Sequence, residues 1–172
     1  MNKIKELIPY ILIILAVLLI KTFVVSPVKV NGLSMYNTLH DGDIMILNKI
    51  VYKFSKIKRF DIVVARWKDE KLGKDEYLIK RVIALPGETV EFKDNILYIN
   101  GKKLDDPYGY GNTNDFSMKD FGKKKIPKGY YLILGDNREN SVDSRYFGLM
   151  SEKNIKGRCK LIIFPFSRAG TK

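Results

Sequence analysis

The stretch from Leu7 to Val25, "LIPYILIILAVLLIKTFVV", carries a single charge, Lys21, close to its end. A helix needs about 20 mostly apolar residues to cross the hydrocarbon layer. The stretch therefore predicts a transmembrane helix over 7–25, a short segment 1–6 before it, and a separate domain over 26–172. Lys21 falls where its stem can run along the lipid while its amine reaches the interface. Lys3 and Lys5 favour a cytoplasmic N-terminus and an extracytoplasmic domain, although Lys21 and Lys29 on the other flank reduce that asymmetry. A cleavable leader has the same basic start and apolar middle, then a small-x-small exit. Val24 and Ser26 imitate such an exit, but Pro27 follows at once, with no amide hydrogen and a fixed φ. The expectation is an uncleaved signal-anchor in the cell membrane.

The chain behind this segment is long enough for one domain with a true core, and its 12 % aromatic content argues against disorder. Its one cysteine, Cys159, excludes an internal disulfide framework and any multi-cysteine metal site; "GRCKLIIF" reads as a buried strand with Cys159 as a small core residue. The formal charge is +12. Lys and Arg are interleaved with acidic residues and no nucleic-acid motif frames them, so an anionic membrane surface is the expected partner and nucleic acid is not.

From residue 26 onward the pattern is that of an all-β, mainly antiparallel domain. Residues 42–52, 60–67, 77–85, 130–136 and 159–164 are short β-branched or aromatic runs bounded by Gly, Pro, Asp or Lys. Residues 88–101 read as a hairpin with a three-residue polar turn over 93–95. Residues 68–76 and 105–125 read as surface loops, the second long enough to be a flap or a mobile insertion. A small subregion is expected between about 86 and 127. No internal repeat is visible.

Ser34, in "NGLSMYNTLHDGD", is a weak nucleophile unless a base takes its proton. His40 is the chain's only histidine, but it lies in a turn with Asp and Gly behind it, where a solvated ring is the plainer reading. Lys80 lies in "YLIKRVIAL". In a strand, Leu78, Lys80 and Val82 share one face, and Ile79, Arg81 and Ile83 the other. Apolar walls lower a lysine pKa, and an amine so tuned can act as base. Arg81 cannot, because guanidinium keeps its proton. On periodicity alone, Lys80 is equally a strand lysine reaching solvent, and Ser34 a turn serine.

Four blocks taken together resemble one family. "GLSMYNTL", "GDIMILNK", "YLIKRVIALPGE" and "GDNRENSVDSRYFG" follow the apolar run in the order of the bacterial type I signal peptidases, the Ser-Lys leader peptidases of the Gram-positive-like kind. The resemblance implies a membrane-anchored endopeptidase that cuts exported preproteins after small-x-small sites, with Ser34 as nucleophile and Lys80 as general base. It implies that the Ser34 amide helps form the oxyanion hole. Gly32 stands where Gram-negative members add a serine hydroxyl. By the same resemblance Ser141 orients the lysine amine, Asp143 and Arg145 brace the site, and Asp136 is a structural acid, although ordinary turn chemistry also accounts for Asp136 and Asn137. If extended, 141, 143 and 145 would share a face. Leu33, Met35, Tyr36 and Ile79 are candidates for the pocket that admits alanine-sized side chains, and each is equally a candidate core residue. Asn37 stands where proline is common in the family, which implies a looser loop. No cofactor or metal is expected, since hydroxyl and amine suffice for acyl transfer. The rival readings are a self-cleaving repressor, which lacks its DNA-binding helices here, and a membrane-tethered, non-catalytic β binding module, which leaves the joint occurrence of the four blocks unexplained.

Overall fold

The computed structural model describes residues 2–69 and 73–172. A helix α1 (Asn2–Leu19) widens into a π-helical turn over Ile20–Val24 and passes directly into strand β1 (Val25–Lys29). The helical path thus begins ahead of the apolar run and ends one residue short of Val25. Its Leu7–Val24 window has a mean hydropathy of 2.6 and no residue buried against the protein, so it is long and apolar enough to cross a membrane. The carbonyls at its end are met by Lys49, whose Nζ donates to Lys21 O and Thr22 O at 3.1 and 2.9 Å.

The remaining elements are β2 (Ile44–Asn48), the single turn α2 (Val51–Phe54), β3 (Ile62–Asp69), β4 (Lys74–Ala84), β5 (Val90–Lys93), β6 (Ile96–Ile99), β7 (Lys102–Lys103), β8 (Phe116–Ser117), β9 (Tyr130–Leu134), the turn α3 (Ser144–Phe147), β10 (Met150–Ser151), β11 (Ile155–Phe164) and β12 (Gly170–Thr171). They form two antiparallel sheets. The larger runs β1-β2-β11-β3-β4-β9-β10, with β12 added to β11, and the smaller runs β7-β6-β5-β8. The fold is therefore mainly antiparallel β with one N-terminal apolar helix, the class expected from the sequence.

Alternation explains how the sheets stack. In β5 and β6 the buried positions are Val90, Phe92, Leu97 and Ile99, and they pack with Ile83, Ala84, Leu132 and Leu134 of the larger sheet. Each such side chain contributes about 1.5–3 kcal/mol by leaving water. The small sheet is thereby fixed to the C-terminal half of β4, the strand that carries Lys80.

Several local expectations are corrected. The run 42–52 is a strand only to Asn48, whose side-chain carbonyl accepts the Ile50 and Val51 amides and starts α2. The 88–101 hairpin turns through two residues, not three: Asp94 and Asn95 both take positive φ, 50° and 63°, as a tight primed turn requires. The 68–76 loop is mostly hairpin, pairing Lys68 with Asp75 and Asp69 with Lys74, while residues 70–72 lie outside the described residues. The 105–125 stretch contains β8 and a 3-10 turn, Met118–Phe121, opened by a capping box between Ser117 and Asp120. Cys159 is buried in the core, where desolvation pushes its thiol up to about 12.

Candidate active site

Ser34 stands on a tight turn between β1 and β2. Leu39 N–H donates to Met35 O at 2.8 Å, and the Met35 and Leu39 side chains sink into the core with Met45, Ile62 and Val64. That apolar plug fixes the turn, and the segment after β9 fastens it from the other side. Asn137 N–H donates to Ser34 O at 3.0 Å, and Asn137 Nδ2 to Leu33 O at 3.2 Å. Gly135 permits this approach: a Cβ built there would lie 2.3 Å from Ser141 Oγ and 2.5 Å from Ser34 O.

Lys80 enters from β4, paired with Val63 of β3 and two residues from Val82, both fully buried. It is itself only 3 % exposed. Its Nζ lies 2.7 Å from Ser34 Oγ and 3.2 Å from Ile79 O. Burial lowers its pKa to about 8; the Asp143 and Asp136 carboxylates oppose that shift and the Arg145 guanidinium adds to it. An amine so placed can hold a hydroxyl proton near neutral pH, the equipment that acyl transfer through serine needs. His40 is elsewhere engaged: its ring stacks on Tyr36 with centroids 4.9 Å apart.

The other expected residues are brought together in part. Asp143 is fully buried and holds Arg145 by two bonds, Nε–Oδ1 at 2.9 Å and Nη2–Oδ2 at 2.7 Å. It also accepts the Gly135 amide at 3.0 Å. The pairing arises from a helical turn rather than the extended segment expected: Asp143 caps α3, accepting the Arg145 amide. Ser141 Oγ is buried against Gly135 but has no hydrogen-bond partner among the described residues, so the expected contact with the Lys80 amine is not formed. Gly32 takes φ +83°, a conformation that strains any L side chain, and its amide donates to Asp41 Oδ1 at 2.7 Å. A hydroxyl-bearing residue would therefore be strained at this position.

Among the pocket candidates, Ile79 lines a cleft of about 590 Å³ with Val28, Leu47, Val64 and Tyr77. Leu33 and Tyr36 are exposed, whereas Met35 is 1 % exposed and belongs to the core. A larger cavity of about 1010 Å³ lies between the two sheets and α3 and is lined by Ser141 and Arg145, but by neither Ser34 nor Lys80.

Sequence reasoning assigned Arg81 no role, yet it is the largest fully buried side chain among the described residues. Its Nε and Nη2 bind the two Asp136 oxygens at 2.7 and 2.6 Å, and its guanidinium lies 3.6 Å from the centre of the Tyr108 ring. Thr38 Oγ1 donates to the same carboxylate at 2.6 Å. Arg138 is also buried, bound to Asp106 and to Gly135 O. The only signal in the sequence was a charge within an apolar strand, which demands a partner without naming it.

With this geometry in hand, comparison with known proteins is specific. The family model "Signal peptidase, peptidase S26" matches residues 4–164. Signal peptidase I T of Bacillus subtilis (strain 168) is 43 % identical over 164 residues, 91 % of this chain and 83 % of that protein. Signal peptidase I of Bacillus amyloliquefaciens is 45 % identical over 87 % of this chain and 79 % of its own length. The crystal structure of a signal peptidase I from Enterococcus faecalis V583 superposes with a TM-score of 0.52 at 37 % identity, covering 60 % of this chain and 97 % of that one. This chain belongs to the signal peptidase family, peptidase S26. It is a serine endopeptidase that removes signal peptides.

Proposed function

We propose that the chain is a membrane-anchored signal peptidase in which Ser34 and Lys80 form the catalytic pair. The observation that carries this reading is the buried Lys80 amine 2.7 Å from the Ser34 hydroxyl, with a pKa lowered by burial to about 8. At pH 7 about a tenth of such amines are neutral, enough to serve as general base without a stronger one. Lys80 Nζ takes the Ser34 proton as Oγ attacks the scissile carbonyl, and the Ser34 amide faces the developing oxyanion. The ammonium then protonates the leaving amine. A water, deprotonated by the same amine, releases the acyl group from Ser34.

Asp143, Arg145 and Asp136 set the charge around the amine, and Gly135 lets the Ser34 turn approach. Ser141, whose hydroxyl has no partner among the described residues, receives an ammonium hydrogen in this reading once Lys80 is charged. The cleft beside Ile79 accepts the residues before the cut, its aliphatic walls Val28, Leu47 and Val64 favouring small side chains. Beyond the Lys74–Lys80 part of β4, β9 pairs only with Arg81–Ala84, which leaves backbone groups for an extended peptide. The apolar helix anchors the chain with the basic N-terminus cytoplasmic, so the cleft meets preproteins as they leave the membrane.

Cleavage of a preprotein with an Ala-x-Ala site, in detergent, tests the reading. Lys80→Ala and Ser34→Ala should each abolish cleavage, while His40→Ala retains it. Cleavage by Lys80→Ala at the unaltered rate removes the Ser-Lys pair. No cleavage by any form restores the non-catalytic binding module.

A further inference from the structure

The cleft lined by Ile79, the residue before Lys80 whose carbonyl lies 3.2 Å from the Lys80 amine, is divided by charge. Its lining is aliphatic at Val28, Leu47, Val64 and Ile79 and basic at Lys29, Lys49 and Lys156, and among the described residues no acidic one lines it. Strand register places two of these amines. Lys49 directly follows β2 and lies at the end of α1, bound to the Lys21 and Thr22 carbonyls. Lys156 lies in the β11 bulge, beside the Gly157–Val64 pairing. Among the described residues neither Lys29 nor Lys156 has an acidic partner; the ion pair near this face is between Arg66 and Asp75, both about half exposed.

Resting on the catalytic reading above, we propose that Lys29, Lys49 and Lys156 form a charge filter on the signal-peptide side of the cut. It favours preproteins with an acidic or neutral residue four to six positions before the scissile bond and disfavours those with a cationic one. The extended chain advances about 3.3 Å per residue, so these positions fall roughly 13–20 Å before the scissile carbonyl, beyond the residues that the reading above seats on the aliphatic floor. One partly exposed ion pair changes affinity by up to about fivefold, and replacing attraction by repulsion roughly squares the effect.

The test uses the full chain in neutral detergent and matched Ala-x-Ala peptides carrying Glu, Gln or Lys at the fourth, fifth or sixth position before the cut. The quantity read is the Glu/Lys ratio of kcat/KM. The expected ratio is about tenfold or more in at least one position at low ionic strength, shrinking as salt screens the amines. Lys156→Glu and Lys29→Glu, made separately, should each lower the ratio, and because the ratio is internal to each variant, loss of folded protein cancels. A ratio near one in the unaltered protein overturns the filter while leaving the catalytic reading intact. Failure to cleave even the Gln peptides instead overturns the catalytic reading. A ratio near one together with Lys156-dependent activation by phosphatidylglycerol assigns the amines to lipid headgroups and overturns the peptide assignment.

Discussion

Arg81 and Asp136 meet through two hydrogen bonds of 2.7 and 2.6 Å in the protein interior, and each is the chain neighbour of a site residue. Arg81 follows Lys80. Asp136 lies between Gly135, which admits the Ser34 turn, and Asn137, whose amide holds Ser34 O. One buried ion pair thus clamps the strand carrying the amine to the segment that grips the serine.

Breaking that pair from one side leaves a buried charge without its partner. Asp136→Ala should cost about 3–5 kcal/mol of stability, read as a lower midpoint in urea unfolding, and should reduce activity in the fraction that stays folded. Combining it with Arg81→Met should restore part of the stability and none of the activity.

The lowered pKa of Lys80 predicts opposite effects on rate and stability. kcat/KM should rise with pH through about 8 as the amine loses its proton. The folded amine titrates below the ordinary 10.5, so between about pH 8 and 10.5 the unfolded chain binds a proton that the folded chain does not. Stability therefore rises with pH across that window, and below it the folded state bears the full cost, about 3 kcal/mol. Lys80→Met should unfold at a higher temperature than the unaltered protein at pH 7, and that advantage should vanish by about pH 10.5. Thermal unfolding of both forms across this pH range checks the sign.

Gly135→Ala introduces a Cβ that would lie 2.3 Å from Ser141 Oγ and 2.5 Å from Ser34 O. The Ser34 carbonyl is backbone and cannot swing aside, so the nucleophile turn must shift. A loss of at least roughly a hundredfold in kcat is expected, since displacement by about 1 Å has that effect on a reacting pair. Single-turnover cleavage would read it.

Ser141→Ala removes a buried hydroxyl that has no partner in the resting site. Stability should hold or rise by about 1 kcal/mol, because no hydrogen bond is lost. kcat should nonetheless fall if Ser141 receives the ammonium hydrogen during turnover; an unchanged kcat would leave Ser141 without a part in the reaction.

Asn37 takes φ +76° in the loop after Ser34. Proline, common in the family at this position, is locked near −65° and cannot occupy that conformation. Asn37→Pro should therefore destabilise this chain or displace its loop, and Asn37→Gly should be tolerated, as thermal unfolding of the two variants would show.

The sequence by itself determined the architecture and the chemistry on offer. A long apolar run with one charge near its end suits a helix in lipid, and period-two alternation in short β-branched segments buries one face, so the helix and the longer strands were legible from composition and spacing, whereas β1 and the two-residue strands were not. Lys80 was legible as a lysine with apolar neighbours on its own face, and the four ordered blocks supplied the serine to go with it. What the tertiary structure decided were the relations between distant residues. Burial of Lys80 depends on β3 and on Val63, and its contact with Ser34 spans 46 positions. Met35 became the interior of a cluster and Ile79 its edge, lining the cleft, although both are apolar neighbours of site residues, because tertiary packing, not residue type, decides which side chain is covered. The Asp143–Arg145 pair arose from a one-turn helix rather than a strand, since the Asp143 side chain could cap the turn. Arg81 found Asp136 only because two strands far apart in sequence closed into one sheet. Local rules follow the chain, whereas a buried charge is tolerable only where the fold brings its counter-charge, and that information resides in no single segment.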